Sequence, residues 1–300
     1  MPTRQSSISS GNGSAGQLPT DNGSSADLAQ PQRRHSPLPL AILAALFIIA
    51  PFLAWYGTWF GRNLSDDTIT QYLADQENPR HVQHALSQTE SRIEAGDPGV
   101  KRWYPQIIKL AGSNSLEIRQ TVAWVMGQDN KAEEFHAALA QLLNDPAPIV
   151  RRNAALGITR FGDANGRSEL IAALQPFNVV APVDGILKSS LAPGSPVSVG
   201  TLLARIEQAG KLNTEVRSPL PGRIEKVFVG EGSPVSSNQT LVSIAPDERS
   251  LLEALLALRF VGSREDVATI EGHTRNMSAN IKEQAALTVK AIQSRVANVK

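Results

Sequence analysis

His81 and His84 stand three residues apart in the stretch PRHVQHALSQTESRI, a spacing that sets two imidazoles on one face of a helix, as a metal site requires. No third ligand lies nearby, so surface or capping roles are the expectation for both. His136 and His273 are isolated, and no role is assigned to them. The chain contains no cysteine, which excludes disulfides, thiolate nucleophiles, iron–sulfur clusters and thiolate zinc sites together. No nucleophile–base pair, phosphate-cradling glycine loop or paired-carboxylate signature is visible. The expectation is a chain with no catalytic residues and no metal, and not an enzyme.

Charge narrows the partners further. The 29 Lys and Arg residues balance 28 Asp and Glu, so nothing in the electrostatics calls for nucleic acid or a strongly anionic substrate. At 300 residues the chain is about twice a typical domain, which predicts a tail and several modules.

Residues 1–36 are rich in Ser, Gly, Asn and Gln with few large apolar side chains, too few to offset the entropy of ordering, so a disordered tail is predicted. Leu38 to Phe60 then runs without a charge, long enough to cross a hydrocarbon core of about 30 Å as a helix. Trp55, Tyr56 and Trp59 crowd one end, as at a headgroup layer. Residues 37–61 are therefore predicted to be a transmembrane helix retained as an anchor in the lipid bilayer. Arg33, Arg34 and His35 precede it, whereas Asp66, Asp67, Asp75 and Glu77 follow. The positive-inside rule then predicts a single-pass protein of a bacterial inner membrane, N-terminus cytoplasmic and C-terminal region periplasmic.

Three windows beyond that segment overlay one another: Glu117 to Trp124, Ile149 to Leu156, and Asn280 to Leu287. The first two lie about 32 residues apart, the period of stacked helix pairs. Each carries a basic residue after a β-branched one and then small residues, while Asn144-Asp145-Pro146 and Gly162-Asp163 supply turns. The run NDPAPIVRRNAALGITRFGD resembles the HEAT-repeat family, with weaker copies in PRHVQHALSQTESRI and SLLEALLALRFVGSREDVATI. That resemblance implies helical repeats over 65–176 and 248–300 and protein binding on a curved surface.

Between 177 and 247 the texture changes to short alternating runs of Val, Ile, Pro, Gly and Ser, which predict strands and tight turns. This stretch is duplicated: Pro182, Gly185, Gly194, Val197, Leu203 and Ile206 recur as Pro219, Gly222, Gly232, Val235, Leu241 and Ile244. Two interlocking halves with a shared core follow. The doubled pattern resembles the biotinyl/lipoyl family, a barrel-sandwich hybrid also found in periplasmic adaptor (membrane fusion) proteins. In carriers of that family a lysine on the hairpin between the halves is modified. Here the hairpin is IEQAGKLNTEVRSP, and Lys211 with the following Glu215-Val216 and Ser218-Pro219 is similar to the lipoyl pattern. Lys211 is thus the candidate cofactor-binding residue, for lipoate or biotin. One extra residue between Glu207 and Lys211 departs from the lipoyl turn, and Gly210 and Leu212 replace the methionines that flank a biotinyl lysine.

The fold class expected is multidomain: an α-solenoid of HEAT-like repeats plus an all-β barrel-sandwich hybrid, with one transmembrane helix. The function expected is a membrane-tethered, non-catalytic scaffold or adaptor without a cofactor, which binds protein partners, a membrane complex among them. The alternatives are a lipoyl or biotin swinging-arm carrier modified on Lys211 and a periplasmic adaptor subunit of a transport system. The roughly ten residues between Ile206 and Val216 are too few for the long α-hairpin of such adaptors.

Overall fold

The computed structural model describes residues 38–57, 63–210 and 212–298. The chain divides into two compact units, Met1–Thr58 and Trp59–Lys300. In the first, the described residues form helix α1, Leu38–Gly57, with Pro51 inside it. The tail predicted over 1–36 lies outside the described residues.

The expectation of a solenoid with one transmembrane helix is corrected. The chain is mostly helical with a small β region, and among the described residues no helix is long and apolar enough to cross a membrane.

The second unit begins with α2 (Asp66–Ala74), α3 (Pro79–Glu94), α4 (Tyr104–Leu110), α5 (Leu116–Met126), α6 (Glu133–Leu142), α7 (Pro148–Thr159) and α8 (Arg167–Ala172). Local chemistry sets the helix starts. The hydroxyls of Ser65 and Ser115 accept from the Thr68 and Ile118 amides, and prolines open α3 and α7, where a missing N–H costs nothing. Ile69, Leu86, Trp103, Ile107, Met126, Phe135 and Ile158 form the centre of their shared core.

A 32-residue repeat is visible in hydrogen bonds. Arg119 Nη1 donates to the carbonyls six and five residues before it, Ser113 and Asn114, at 3.0 and 3.3 Å. Arg151 Nη1 does the same to Asp145 and Pro146, at 2.9 and 3.2 Å. Both arginines reach back across the turn that opens their own helix. The third window departs from this: Lys282 is exposed on the long helix α11 (Ala279–Asn298).

Arg119 also grips Asp145 with two bonds, Nε to Oδ2 at 2.7 Å and Nη2 to Oδ1 at 3.1 Å. The pair is 15% and 5% exposed, and Asp145 accepts the Ala147 amide as well. An Asp145→Ala change leaves a half-buried guanidinium without its carboxylate and should cost about 3 kcal/mol. Urea unfolding checks this through the midpoint at constant slope.

The histidine pair takes structural roles. His81 Nδ1 lies 2.7 Å from Asp75 Oδ2, and its ring stacks on Tyr72 at 4.2 Å. His84 is buried, and burial, with the nearby His81 adding to it, holds its imidazole below the usual range. Unfolding frees His84 to take up a proton at its ordinary pKa, so the unfolded chain binds more protons as pH drops through that value. Its contribution is therefore complete above the unfolded pKa and fades toward the lower folded one. The melting temperature should fall between pH 8 and pH 5.5, and less so in His84→Gln, measured by circular dichroism.

The β domain has eight strands: β1 (Phe177–Val180), β2 (Gly185–Ser190), β3 (Pro196–Val197), β4 (Leu202–Glu207), β5 (Thr214–Arg217), β6 (Gly222–Val227), β7 (Pro234–Val235) and β8 (Thr240–Ala245). One sheet runs β1-β8-β6-β3 and the other β5-β4-β2-β7. Replacing each strand by its counterpart in the other half converts the first order into the second, so the duplicated sequence folds with pseudo-twofold symmetry. Registers agree residue by residue: Leu187 faces Ile206, Ile224 faces Ile244, and a bulge follows both Leu187 and Ile224. The halves are stitched reciprocally. The Gly194 amide donates to Ile224 O and the Gly232 amide to Leu187 O, each at 2.7 Å, with both glycines at positive φ.

Beyond the barrel come α9 (Glu248–Val261), capped by Asp247, then α10 (Val267–Thr274) and α11. Helices from both sides of the barrel share one core, in which Leu170 and Leu174 join Leu251, Leu255, Leu258 and Ile292. The barrel is thus looped out of a helical framework.

Candidate functional site

The two ends of the barrel differ. At one end Leu220 is buried in the helical core, and Phe177 and Val199 pack against it. Strand β4 starts beside this end, where Leu202 pairs with Arg217, and leaves it toward Ile206, which pairs with Thr214. Its six residues carry the chain about 17 Å away from the helices. The connection 208–213 therefore sits at the opposite pole from the barrel's termini. Its sequence includes Lys211, which lies outside the described residues.

What flanks that position is described. Gly210 has φ +73°, and nothing stands within 4 Å of where its side chain would be. Leu212 is 92% exposed. The connection is open on both sides of position 211, a condition for any enzyme that must bring a second substrate to it. The six residues between β4 and β5 leave no room for a pair of helices.

Charges line the outer face of the sheet leading to the hairpin. Lys188 Nζ meets Glu207 Oε2 at 2.5 Å. Glu215 accepts from Arg217 at 2.5 Å and Arg205 at 3.4 Å. The Arg217 bond, with the Arg205 charge adding to it, holds the Glu215 carboxyl below the ordinary carboxylate range. Glu215 was singled out in the sequence for its place after the lysine; its role as the centre of a charge ladder is visible only once β4 and β5 are paired.

A model of the biotinyl/lipoyl family, described as "Biotin-requiring enzyme", matches residues 180–244. Residues 180–244 form a biotinyl/lipoyl domain. The match lies within the β region and lends the helical-repeat resemblance no support. No curated protein matches the chain. A solved structure, titled "Structure and function of a single-chain, multi-domain long-chain acyl-coa carboxylase", is similar over 33% of this chain and 11% of that one, at 17% identity and a TM-score of 0.23. So small a share and so low a score bear no weight here.

The two halves were legible in the sequence, whereas Asn238 was not. This residue is at φ +66°, where the first half has Gly200 at +82°. Both amides donate to the equivalent carbonyl of the other half, Asn238 to Ala181 and Gly200 to Ser218. Asn is among the few side chains that accept this conformation, so a Gly-to-Asn correspondence was the available signal. Among the described residues no group of three or more His, Cys, Asp or Glu is arranged to hold a metal.

Proposed function

We propose that this chain is a swinging-arm carrier, in which the ε-amine of Lys211 is acylated by biotin or lipoate. What supports the reading is the biotinyl/lipoyl domain itself, whose sequence has Lys211 between its two halves, together with the described residues on either side of that position, an exposed leucine after it and an unobstructed glycine before it. A separate ligase would activate the cofactor carboxyl with ATP. The lysine amine attacks that carbonyl, the adenylate leaves, and an amide bond and a proton result. The arm would supply a carboxyl-carrying ring if biotin, or an acyl-accepting disulfide if lipoate. The chain's own residues present the amine and keep the barrel rigid beneath it; no chemistry on the cargo is asked of them. The reading requires the barrel to fold where the ligase and ATP are present.

A second reading, a non-catalytic scaffold, draws on a different observation. The barrel is fixed to the helices at Leu220 and by both of its termini, which makes it a rigid projection of the framework. Intact-mass spectrometry on full-length protein, coexpressed with a biotin ligase or a lipoate ligase, separates the two. The carrier gains the mass of one cofactor, localised by peptide mapping to the fragment with Lys211. An unchanged mass with both ligases leaves the scaffold.

A further inference from the structure

We infer that the cleft bordered by α5, α7 and α9 binds a peptide segment of a partner protein, one that carries a large apolar side chain next to basic residues. The inference is independent of whether Lys211 is modified, since the cleft lies at the barrel's helix-facing end.

Two cavities meet there. The first, about 700 Å³, lies where α5, α7 and the start of α9 face the barrel turn at Ser198 to Gly200. The second, about 380 Å³, is walled by Trp124, Leu156, Leu256 and Phe260 and is also lined by one charge of each sign, Arg160 and Glu253. Trp124 and Glu253 line both, so the two cavities adjoin. Leu256 is 46% and Phe260 68% exposed, four residues apart on α9 and so on one face of it. Large apolar side chains gathered beside a cavity mark a place where another surface is meant to exclude water. Trp124 is already fixed: its Nε1 donates to Glu90 at 2.5 Å, and the Arg160 guanidinium sits 5.8 Å from its ring centre. A side chain entering here would find a wall that needs no further ordering.

Charge selects the neighbour of that side chain. Glu117, Asp247 and Glu253 line the first cavity against Arg249 alone. Arg249 Nε is held by Glu253 at 2.8 Å, while Glu117 and Asp247 enter no ion pair among the described residues. Net negative charge next to an apolar hollow complements a segment with a Leu or Phe followed by Lys or Arg, and disfavours an acidic one. Gln83, Gln120 and Asn153 also line the first cavity, with the Asn153 side-chain amide donating to the Gln120 carbonyl at 3.0 Å.

The test uses the full-length chain and two fluorescein-labelled twelve-residue peptides that share Leu at positions i and i+4 and differ only in having Lys or Glu elsewhere. Fluorescence anisotropy should show the Lys peptide binding at least about tenfold more tightly, with an affinity that weakens as salt rises. Leu256→Asp and Phe260→Asp, both at exposed positions, should each abolish binding while the melting temperature holds. Glu117→Gln with Glu253→Gln should remove the preference for Lys. Equal affinity for both peptides, or binding unmoved by Phe260→Asp, overturns the inference. So does self-association in sedimentation that Phe260→Asp removes while no peptide binds, because the occupant is then a second copy of this chain.

Discussion

A Lys211→Arg variant, coexpressed with either ligase, should leave the cell with no added mass, while the parent chain carries one cofactor. The expected effect is complete, because acylation needs an uncharged amine that can lose a proton to become an amide, and a guanidinium stays protonated at any workable pH. Charge and length are nearly kept, and Leu212 beside it is almost wholly exposed, so the barrel should be as stable as before. A flanking control sharpens the result. Deleting Ala209 shortens the connection by the one residue that separates it from the lipoyl turn, and should raise the fraction modified if the ligase reads the height of the lysine above the strands. Added mass surviving in Lys211→Arg would move the arm to another lysine and remove the carrier reading from this hairpin.

The second large effect is on stability. Gly185 and Gly222 are equivalent in the two halves, and each lies against the partner strand where a side chain has no room. A Cβ at Gly185 would come within 2.6 Å of Ile206 Cγ2 and closer still to the Glu207 carbonyl. At Gly222 the same neighbours recur as Ile244 Cγ2, at 2.8 Å, and the Ala245 carbonyl. Backbone atoms cannot turn aside as a flexible side chain can, so Gly→Ala should destabilise by about 3 kcal/mol at either site, the upper range for overpacking. Gly230, with nothing within 4 Å, is the matched control, and its alanine variant should melt as the parent does. Thermal melts of the three variants, followed by circular dichroism, check the prediction; equal losses at all three would show that the close approach is not the cause.

The same glycines show what was legible in the sequence and why. In the β region, apolar alternation and a repeated unit sufficed to pair Gly185 with Gly222 and Ile206 with Ile244, because a residue forced by close approach cannot vary within a symmetric fold. Repetition also located the first two helical windows, where Arg119 and Arg151 make the same backbone bonds. The third window, at Asn280, had the pattern without the turn that those arginines clasp, so the match in residue type did not carry the bonds with it. The membrane span failed for a different reason. Hydropathy counts apolar residues, and among the described residues no helix meets the length and apolarity needed. The cleft was the least legible feature. Trp124, Glu253 and Phe260 come from segments more than a hundred residues apart on either side of the barrel, and no local pattern reports that they converge.

The looped-out placement of the β domain bears on how the chain finds its native state. Helices α8 and α9 must meet across some seventy intervening residues, and closing so long a loop is opposed by chain entropy that grows with its logarithm. Phe177 and Ile244 are cross-strand partners in β1 and β8, so once the barrel has formed, its two exits are already neighbours. The search left to the helices shrinks to that of a short turn, a saving of about 2 kcal/mol, and the order of events favoured is strands first, helical closure after.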